Sequence, residues 1–321
     1  MNDLPHLQPL DAGVVPRFAE FATFMRTPRV NNPAEVDIAL VGVPFDLGTN
    51  FRTGARQGPA QIREMSRIIR RVNATSRIAP FRLCNVADMG DTPINPFDLL
   101  GSVDLIAEFF RTLADHGVTP IAAGGDHTIT LPILRGLYRG TPFSVVHFDA
   151  HADTLDTLLG TKINHATPFR RLVEEKIIDP KRTIQIGLRG TRFGDDDIQY
   201  GYDVGMHIVT MDDFEEMGRQ AVVAEARRVC GEGPTYITFD IDGLDPVYCI
   251  GTGVPEPGGL SMRDAQVIIR GLQGLDLVGG DVCEVLPLAD PSGHTALNAA
   301  NLMFEMLCVI ADARHTRRTQ R

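Results

Sequence analysis

The chain has 321 residues, of which 43% are hydrophobic, and its formal net charge is −10 at pH 7. A chain of this length and composition can bury a large core, and α/β folds of this size often form one domain. The negative charge and the lack of a basic stripe exclude the pattern typical of nucleic-acid-binding proteins.

The cysteines and the N-terminal residues indicate where the protein is found. Five cysteines are widely spaced and form no CxxC pair, which favours reduced thiols over a disulfide framework. The first 30 residues contain three acids and no continuous apolar run, so no signal peptide is expected. No window approaches the roughly 20 apolar residues of a membrane span. We therefore predict a cytoplasmic protein with no membrane or nucleic-acid partner.

Residues 1–33 contain five prolines and little hydrophobic periodicity. They predict an irregular N-terminal arm, which either packs on a neighbouring subunit or remains a mobile tail. Residues 34–321 are predicted to form a single domain, because strand and helix patterns alternate along them without a repeat or a linker.

Strand and helix patterns alternate as follows. The predicted strands occupy residues 36–44, 83–86, 120–123, 143–151, 183–188, 207–211, 235–241 and 277–285. The predicted helices occupy residues 59–72, 102–116, a segment from about 131, 169–178, 195–204, 213–230, 261–272 and 295–313. This alternation predicts a doubly wound α/β domain with a mostly parallel sheet, whose site lies at the carboxyl ends of the strands.

Acidic residues and histidines follow three of the predicted strands. Asp149-Ala150-His151-Ala152-Asp153 follows one strand, Asp240-Ile241-Asp242 follows a second, and Gly124-Gly125-Asp126-His127 follows a third. Side chains at i and i+2 of an extended chain point the same way, so each run directs its polar groups to one face. The expected metal ligands are His127, Asp149, His151, Asp153, Asp240 and Asp242.

Each of these residues taken alone has a simpler interpretation, because a single Asp after a strand is more often a helix cap or a turn residue. Taken together, however, these residues predict a metal site. Two carboxylates about 4 Å apart repel by roughly 4 kcal/mol at an effective dielectric of about 20, so a group of four needs cations. Asp and His ligands without Cys suit Mn, Fe, Co or Ni. Two divalent ions with a bridging hydroxide would make the site a hydrolase.

Other polar residues near these strand ends are assigned to catalysis and substrate. His165 lies on the long loop after residue 153 and is expected to shuttle protons, although an ordinary loop histidine is the alternative. Glu284 ends a strand beside the site, and a spare carboxylate there suits a guanidinium. Glu256, on a second long loop, is either a further substrate contact or a solvated charge. His147 is interpreted as a core residue.

These motifs resemble those of the ureohydrolase family, which comprises arginases, agmatinases and guanidino-acid hydrolases. The motifs that carry the resemblance are Gly124–His127, Asp149–Asp153, and Phe239–Pro246 with Gly251–Gly253. The resemblance covers nearly the whole chain. With Pro16-Arg17-Phe18 and Thr23-Phe24-Met25-Arg26, it is nearer to the guanidinobutyrases, guanidinopropionases and proclavaminate amidinohydrolases than to the arginases.

The resemblance implies an eight-stranded parallel sheet with helices on both faces, assembled as a trimer or hexamer. It also implies hydrolysis of a guanidino group to urea and an amine with two divalent ions, manganese first and nickel second. The implied roles are bridging for Asp149 and Asp240, binding of one ion for His127 and Asp153, binding of the other for His151 and Asp242, proton transfer for His165 and guanidinium binding for Glu284. His165, Asp153 and Glu284 are thus the expected catalytic residues.

The sequence departs from the family pattern near the expected substrate pocket. His165 is followed by Ala where relatives commonly have Gly, and Leu286 and Ala289 stand where relatives have Ser and an aromatic residue. Leu286 and Ala289 are expected to line a wider and more apolar pocket, which Asn164 can also reach. We therefore expect uncharged or alkyl-bearing guanidines to be preferred over long guanidino acids.

Three alternatives remain open from the sequence. The substrate could be an N-alkylguanidine or a biguanide, with nickel in place of manganese. The chain could be a non-catalytic structural partner of an active ureohydrolase, although all six ligands and His165 are present. It could also be another two-metal hydrolase that cleaves formiminoglutamate or an acetyl amide.

Overall fold

Residues 5–194 and 198–320 are described by the structure, a computed structural model of the chain. Across them, eight strands form one sheet in the order β2-β1-β3-β8-β7-β4-β5-β6, and every neighbouring pair is parallel. The strands are β1 (Ile38–Gly42), β2 (Val86–Asp91), β3 (Thr119–Ala123), β4 (Phe143–Phe148), β5 (Ile178–Leu188), β6 (His207–Thr210), β7 (Thr235–Asp240) and β8 (Leu277–Cys283). The predicted eight-stranded parallel sheet is confirmed.

Helices cover both faces of this sheet. They are α1 (Gly58–Ser66), α2 (Pro80–Leu83), α3 (Leu99–Asp115), α4 (Thr130–Leu137), α5 (Pro168–Glu174), α6 (Gln199–Val204), α7 (Met211–Met217), α8 (Arg219–Cys230), α9 (Met262–Gly271) and α10 (His294–Thr319). Val145 of β4 packs in one core cluster with Ile106 of α3, and Val146 packs in the other with Val222 of α8. Both faces are buried, as expected of parallel strands that read as continuous apolar runs.

Several predicted elements are wrong in their bounds. The predicted helix 59–72 ends at Ser66, and the predicted helix 169–178 ends at Glu174 because the chain enters β5 at Ile178. Two further differences follow from single residues. The segment 83–86 was expected to be a strand, but Pro80 begins the short helix α2, since proline favours the first helical position, and the strand begins at Val86. The predicted helix 213–230 is two helices, because Gly218 between them has φ +76°, which a helix interior does not permit. Part of the predicted helix 195–204 lies outside the described residues.

The final helix, α10, is long and apolar enough to cross a membrane by length and composition, contrary to the expectation for this sequence. Of its apolar window, 78% is buried inside the protein. Leu302, Met306 and Ile310 are fully buried in the core cluster. The apolar residues of α10 are therefore explained by its position as a core helix.

The described part of the N-terminal arm is irregular and packs on this chain's own core. Phe24 and Met25 are buried and belong to the core cluster that contains α10. The backbone N–H of Phe24 donates to the Asp88 carboxylate at 3.0 Å, and Arg29 forms a parallel bridge with Asp88 of β2. The boundary at residue 33, and any contact of the arm with a second copy of the chain, stay predictions.

The four central strands β3, β8, β7 and β4 are neighbours, and their carboxyl ends lie side by side. His127 follows β3, Glu284 follows β8, Asp240 ends β7 and Asp149 follows β4. Ligand sites of open α/β sheets lie at this edge. The topology alone therefore brings together polar residues that are far apart in the sequence.

The turn after β3 is a tight backbone crossing at Gly125. A Cβ at this position would lie 1.6 Å from the Phe45 carbonyl oxygen, which also accepts a hydrogen bond from the Asp126 N–H. We expect Gly125→Ala to lower the free energy of unfolding by about 2 kcal/mol or more and to displace His127. Thermal denaturation and metal analysis would measure both effects.

Gly201→Ala is the matched control, since Gly201 is a helical glycine whose nearest contact for a Cβ is a flexible Ile208 methyl group at 3.1 Å. Only a small change of stability is expected there. A Gly125→Ala variant as stable as Gly201→Ala would contradict the described backbone crossing.

Candidate metal centre

The first group of the centre surrounds the imidazole of His127. Its Nδ1 lies 3.0 Å from Asp149 Oδ2, 3.0 Å from Asp153 Oδ2 and 3.3 Å from Asp240 Oδ2. His127 and Asp149 are fully buried, and Asp240 is 3% exposed. One imidazole nitrogen thus faces three carboxylates, with the mixed nitrogen and oxygen donors that first-row transition metals accept.

The second group surrounds His151. Its Nδ1 lies 3.2 Å from Asp242 Oδ2 and 3.4 Å from Asp149 Oδ1. Asp149 therefore directs one oxygen to each histidine. Backbone donors hold these carboxylates, since the Ala150 N–H donates to Asp242 at 3.1 Å and the His151 N–H donates to Asp149 at 2.6 Å. All six predicted ligands are brought together, in two groups that share Asp149.

The turns that place these residues are not extended chain, contrary to the expectation for the run 149–153. Strand β4 ends at Phe148, and Asp153 adopts a left-handed backbone with φ +51°. The carboxylates converge because the chain turns away from the sheet, while the Asp149 N–H still donates to the Ile186 carbonyl of β5. The alternation argument predicted that these side chains converge, but the geometry that brings them together is a turn and not an extended chain.

The donor atoms fit a cation. The Nδ1 of His127 is buried and has no hydrogen-bond partner among the described residues, whereas its Nε2 lies 3.0 Å from the Thr238 hydroxyl. If the Nε2 carries the proton, the Nδ1 lone pair points at three carboxylates. Such an arrangement is repulsive without a positive charge at its centre. The residues present therefore fit divalent metal ions.

The protonation equilibria show the same excess of negative charge. Burial disfavours the charged imidazole of His127, yet the charge interaction with Cys283 and contacts with three carboxylates raise its pKa well above the usual value. Burial and then repulsion from neighbouring carboxylates raise the pKa of Asp240 well above its usual value. Asp149 differs, because three histidines outweigh its burial and lower its pKa well below the usual range. Metal ions at this site would supply the charge that protons otherwise must bring.

His147 has a role beyond the core position assigned from the sequence. Its Nε2 lies 2.8 Å from Asp149 Oδ2, and its Nδ1 lies 2.9 Å from the Gln185 amide nitrogen. The ring of Phe169 stacks on it with centroids 4.0 Å apart. The Gln185 amide therefore favours the tautomer in which the Nε2–H of His147 donates to the carboxylate and orients it.

Asp126 is a second residue that the sequence analysis missed. Its two oxygens accept from the Gly48 N–H at 2.8 Å and the Thr128 N–H at 2.9 Å, which fixes the loop after β1 against the turn that carries His127. Burial and the nearby charge of Glu284 raise its pKa to about 7. The Gly-Gly-Asp-His run signalled this residue, but its partner at position 48 could not be read from the sequence.

His165 and Glu284 meet beside the first group. The Nδ1 of His165 lies 3.4 Å from Glu284 Oε1, and its Nε2 lies 3.0 Å from the Asn50 side-chain oxygen. Glu284 Oε1 also accepts from the His127 N–H at 2.9 Å. Burial lowers the pKa of His165, but the Glu284 carboxylate outweighs it and raises that pKa to about 9.

A cavity of about 230 Å³ opens onto this cluster. The predicted site residues that line it are His151, Asp153, His165, Asp240, Asp242, Glu256 and Glu284. Its apolar wall was not predicted and consists of Leu155, Leu158, Leu188, Ile198 and Val254 with Phe193 at the rim. The cavity therefore combines an acidic end with a hydrophobic side.

Three predicted substrate contacts are absent from the described lining of this cavity. Leu286 is 3% exposed and packs against Gly54. A Cβ added at Gly54 would lie 2.8 Å from the Cδ1 of Leu286. Ala289 lies on a short 3-10 turn beyond it. The Asn164 amide donates to Thr161 and so supports the loop that carries His165. Substrate contact by these three residues stays a prediction.

Comparison with known proteins gives the same assignment. Residues 36–308 match the Arginase family. The chain is 50% identical to guanidinopropionase of Pseudomonas aeruginosa over 96% of this chain and 97% of that protein, and 47% identical to guanidinobutyrase of the same organism over 94% and 96%. The solved structure of proclavaminate amidinohydrolase from Streptomyces clavuligerus superposes with a TM-score of 0.90 at 38% identity, covering 93% of this chain and 100% of that one. The chain belongs to the arginase family, and the resemblance predicted from its motifs is confirmed.

Proposed function

We propose that the protein hydrolyses a guanidino compound to urea and an amine at a binuclear metal centre. The observation that carries the proposal is that both histidine–carboxylate groups, His165 and Glu284 meet at one cavity. The arginase-family match and the names of the relatives support the same class, a metal-dependent amidinohydrolase. Asp149 directs one oxygen to His127 and the other to His151, and this position supports the proposal that it would help to hold both ions.

Glu284 would bind the guanidinium. Its Oε1 is fixed by the His127 N–H at 2.9 Å, and a Cβ at Gly253 would lie only 3.3 Å from its Oε2, so the absence of a side chain there leaves room beside the carboxylate. A planar guanidinium pairs with a carboxylate through parallel hydrogen bonds. This contact would hold the guanidino carbon beside the metal ligands.

His165 would move the proton to the leaving amine. It is held between Asn50 and Glu284 and also lines the cavity, so it can reach a substrate bound at Glu284. The raised pKa, about 9, keeps the imidazolium available at neutral pH as a proton donor. Two divalent ions, held by the six candidate ligands, would supply the remaining chemistry, which is the activation of water near neutral pH.

Two substrate classes are candidates. The wall formed by Leu155, Leu158 and Ile198 favours an alkyl substituent on the guanidine, because burial of each methylene stabilises the complex by about 0.8 kcal/mol. The relatives named for guanidinopropionate and guanidinobutyrate favour a guanidino acid, and Arg192 at the same cavity could pair with its carboxylate. The cavity thus offers an apolar wall for an alkylguanidine and an arginine for a guanidino acid.

We also propose a homo-oligomer, a trimer or hexamer, located in the cytoplasm. Large exposed apolar side chains support the first part, since Phe18, Phe21 and Phe97 are 87%, 94% and 97% exposed. The five cysteines support the second, because all are buried and unpaired in the described chain.

The first prediction concerns metal content. Protein loaded with manganese or nickel is expected to retain about two ions per chain, and Asp149→Asn is expected to lose metal and urea formation together. Asp104→Asn, an exposed residue of α3, is the control and should retain both. Elemental analysis paired with a urea assay measures this, and full activity without metal would disprove the proposed centre.

The second prediction concerns His165. Replacing it with Ala should lower kcat by roughly 10²–10⁴-fold while metal content is unchanged, because it transfers a proton and is not a ligand. Metal analysis and steady-state kinetics on the same preparation decide between the two roles. Loss of metal in the variant would place His165 in the coordination sphere instead.

The third prediction concerns the substrate. The apolar wall predicts a higher kcat/KM for N-alkylguanidines than for 4-guanidinobutyrate, and replacing Leu158 with Ser should reduce this preference by roughly threefold or more, since it removes about 1 kcal/mol of apolar contact. Arg192→Ala is the matched test of the other class, because it should affect only guanidino acids. A tenfold or greater advantage for the acid in the unmodified enzyme rules out the alkyl preference.

A further inference from the structure

A second cavity, of about 260 Å³, lies beneath the N-terminal arm. Its lining shares no described residue with the cavity of the metal centre. Four arginines line it, Arg17, Arg26, Arg70 and Arg71, and Asp11 is the one acid among its described lining residues. The motifs Pro16-Arg17-Phe18 and Thr23-Phe24-Met25-Arg26, which the proposed hydrolysis does not use, supply two of these arginines.

The guanidinium of Arg26 is the most informative of the four. The residue is 5% exposed, and its Nη2 donates to the carbonyl oxygens of Val15 at 2.9 Å and Pro16 at 3.4 Å. Its Nε and Nη1 are buried and have no hydrogen-bond partner in the described parts of the chain. Folded proteins rarely leave donors of a buried charge unpaired, so these two groups indicate an acceptor that the described chain does not provide.

The guanidinium groups of the other three arginines use only some of their N–H donors, or none, within the described chain. Arg17 Nη1 donates to the Arg67 carbonyl at 2.6 Å, and Arg71 Nη2 donates to the Pro9 carbonyl at 2.7 Å. Arg71 lies 3.9 Å from the Asp11 carboxylate, and both side chains are exposed, so this ion pair is weak. Arg70 is exposed and has no described hydrogen bond or ion pair. Four positive charges around one carboxylate leave the cavity with a net positive charge.

The cavity is formed by the folded chain and does not depend on a loose surface loop. The Arg26 carbonyl accepts from the Leu10 N–H at 3.0 Å, and the neighbouring Met25 N–H donates to the Ser66 hydroxyl of α1 at 2.7 Å. These bonds hold Arg26 between the arm and α1. Because Arg26 is already fixed, it loses little entropy when the cavity binds a ligand.

We propose that this cavity binds a small multivalent oxyanion, a phosphate group, between Arg26, Arg70 and Arg71. Guanidinium groups match the geometry of phosphate oxygens and donate to them in pairs. Since each water occupies roughly 30 Å³ of the liquid, the cavity has room for a phosphate group and the waters that accompany it. The ligand is either free phosphate or the phosphate of a small monoester.

The experiment uses the metal-loaded, full-length protein titrated with inorganic phosphate at constant ionic strength, with sodium chloride as the reference salt. Calorimetry and thermal denaturation follow binding. The unmodified protein should bind phosphate saturably, and Arg70→Ala and Arg71→Gln should each raise the apparent Kd at least tenfold. Both residues are exposed, so these variants are expected to fold, whereas Arg26→Met is informative only if it does.

Arg263→Ala is the matched control, because Arg263 is exposed on α9 and lies outside the cavity lining. It should bind phosphate like the unmodified protein, and Arg70→Ala should keep the same urea-forming activity. A parallel titration with glycerol phosphate distinguishes free phosphate from a phosphate monoester as the ligand. Tighter binding of either probe supports the site and shows which of the two it prefers.

Two results would overturn the proposal. One is the absence of any saturable signal beyond that of chloride, which would leave water or an acidic group of a second copy as the occupant. The other is an equal phosphate affinity in all variants, which would place the ion elsewhere, for example at the metal centre.

Discussion

Four carboxylates lie around two imidazoles at the ends of the central strands, and their mutual repulsion is the constraint on which the site depends. Two carboxylates about 4 Å apart would repel by roughly 4 kcal/mol at an effective dielectric of about 20. The chain holds them together with backbone donors, such as the Asp242 N–H that donates to Asp240 at 2.9 Å and the His151 N–H that donates to Asp149 at 2.6 Å. Cations bound in this arrangement would favour the folded state, which would link metal affinity to stability.

A second polar layer beneath the first fixes His127. Its Nε2 faces the Thr238 hydroxyl at 3.0 Å, which donates to the Asp281 carboxylate at 2.7 Å. Asp281 also accepts from the hydroxyl groups of Tyr236 at 2.8 Å and Thr130 at 3.0 Å. Two of the hydroxyl groups belong to β7 and one to α4, so the network joins β7 and α4 to Asp281 of β8. A buried network in which the acid accepts three bonds orients the imidazole rigidly.

The fold and the convergence of the six candidate ligands could be predicted from the sequence, because both depend on local patterns. A strand followed by an acidic run needs only a few residues to be recognised, and alternating strands and helices restrict the topology to a doubly wound sheet. The supporting residues depend on distant partners instead. Asp126 accepts a hydrogen bond from the Gly48 N–H, which is 78 positions away in the sequence. His147 is hydrogen-bonded to Gln185, which is 38 positions away. The sequence shows both residues but not what they contact.

The apolar wall of the cavity could not be predicted from the sequence for the same reason. Leu286 and Ala289 follow a strand that carries Glu284, which suggested that they line the pocket, but Leu286 turns inward against Gly54. Much of the apolar lining lies on loops, for example at Leu155 and Leu158, whose side chains follow no helical or strand period. Strand ends fix the metal ligands rigidly, whereas loops with few constraints shape the rest of the cavity. Reaction class and substrate are thus specified by different parts of the chain, and a family match over 36–308 establishes the first far more firmly than the second.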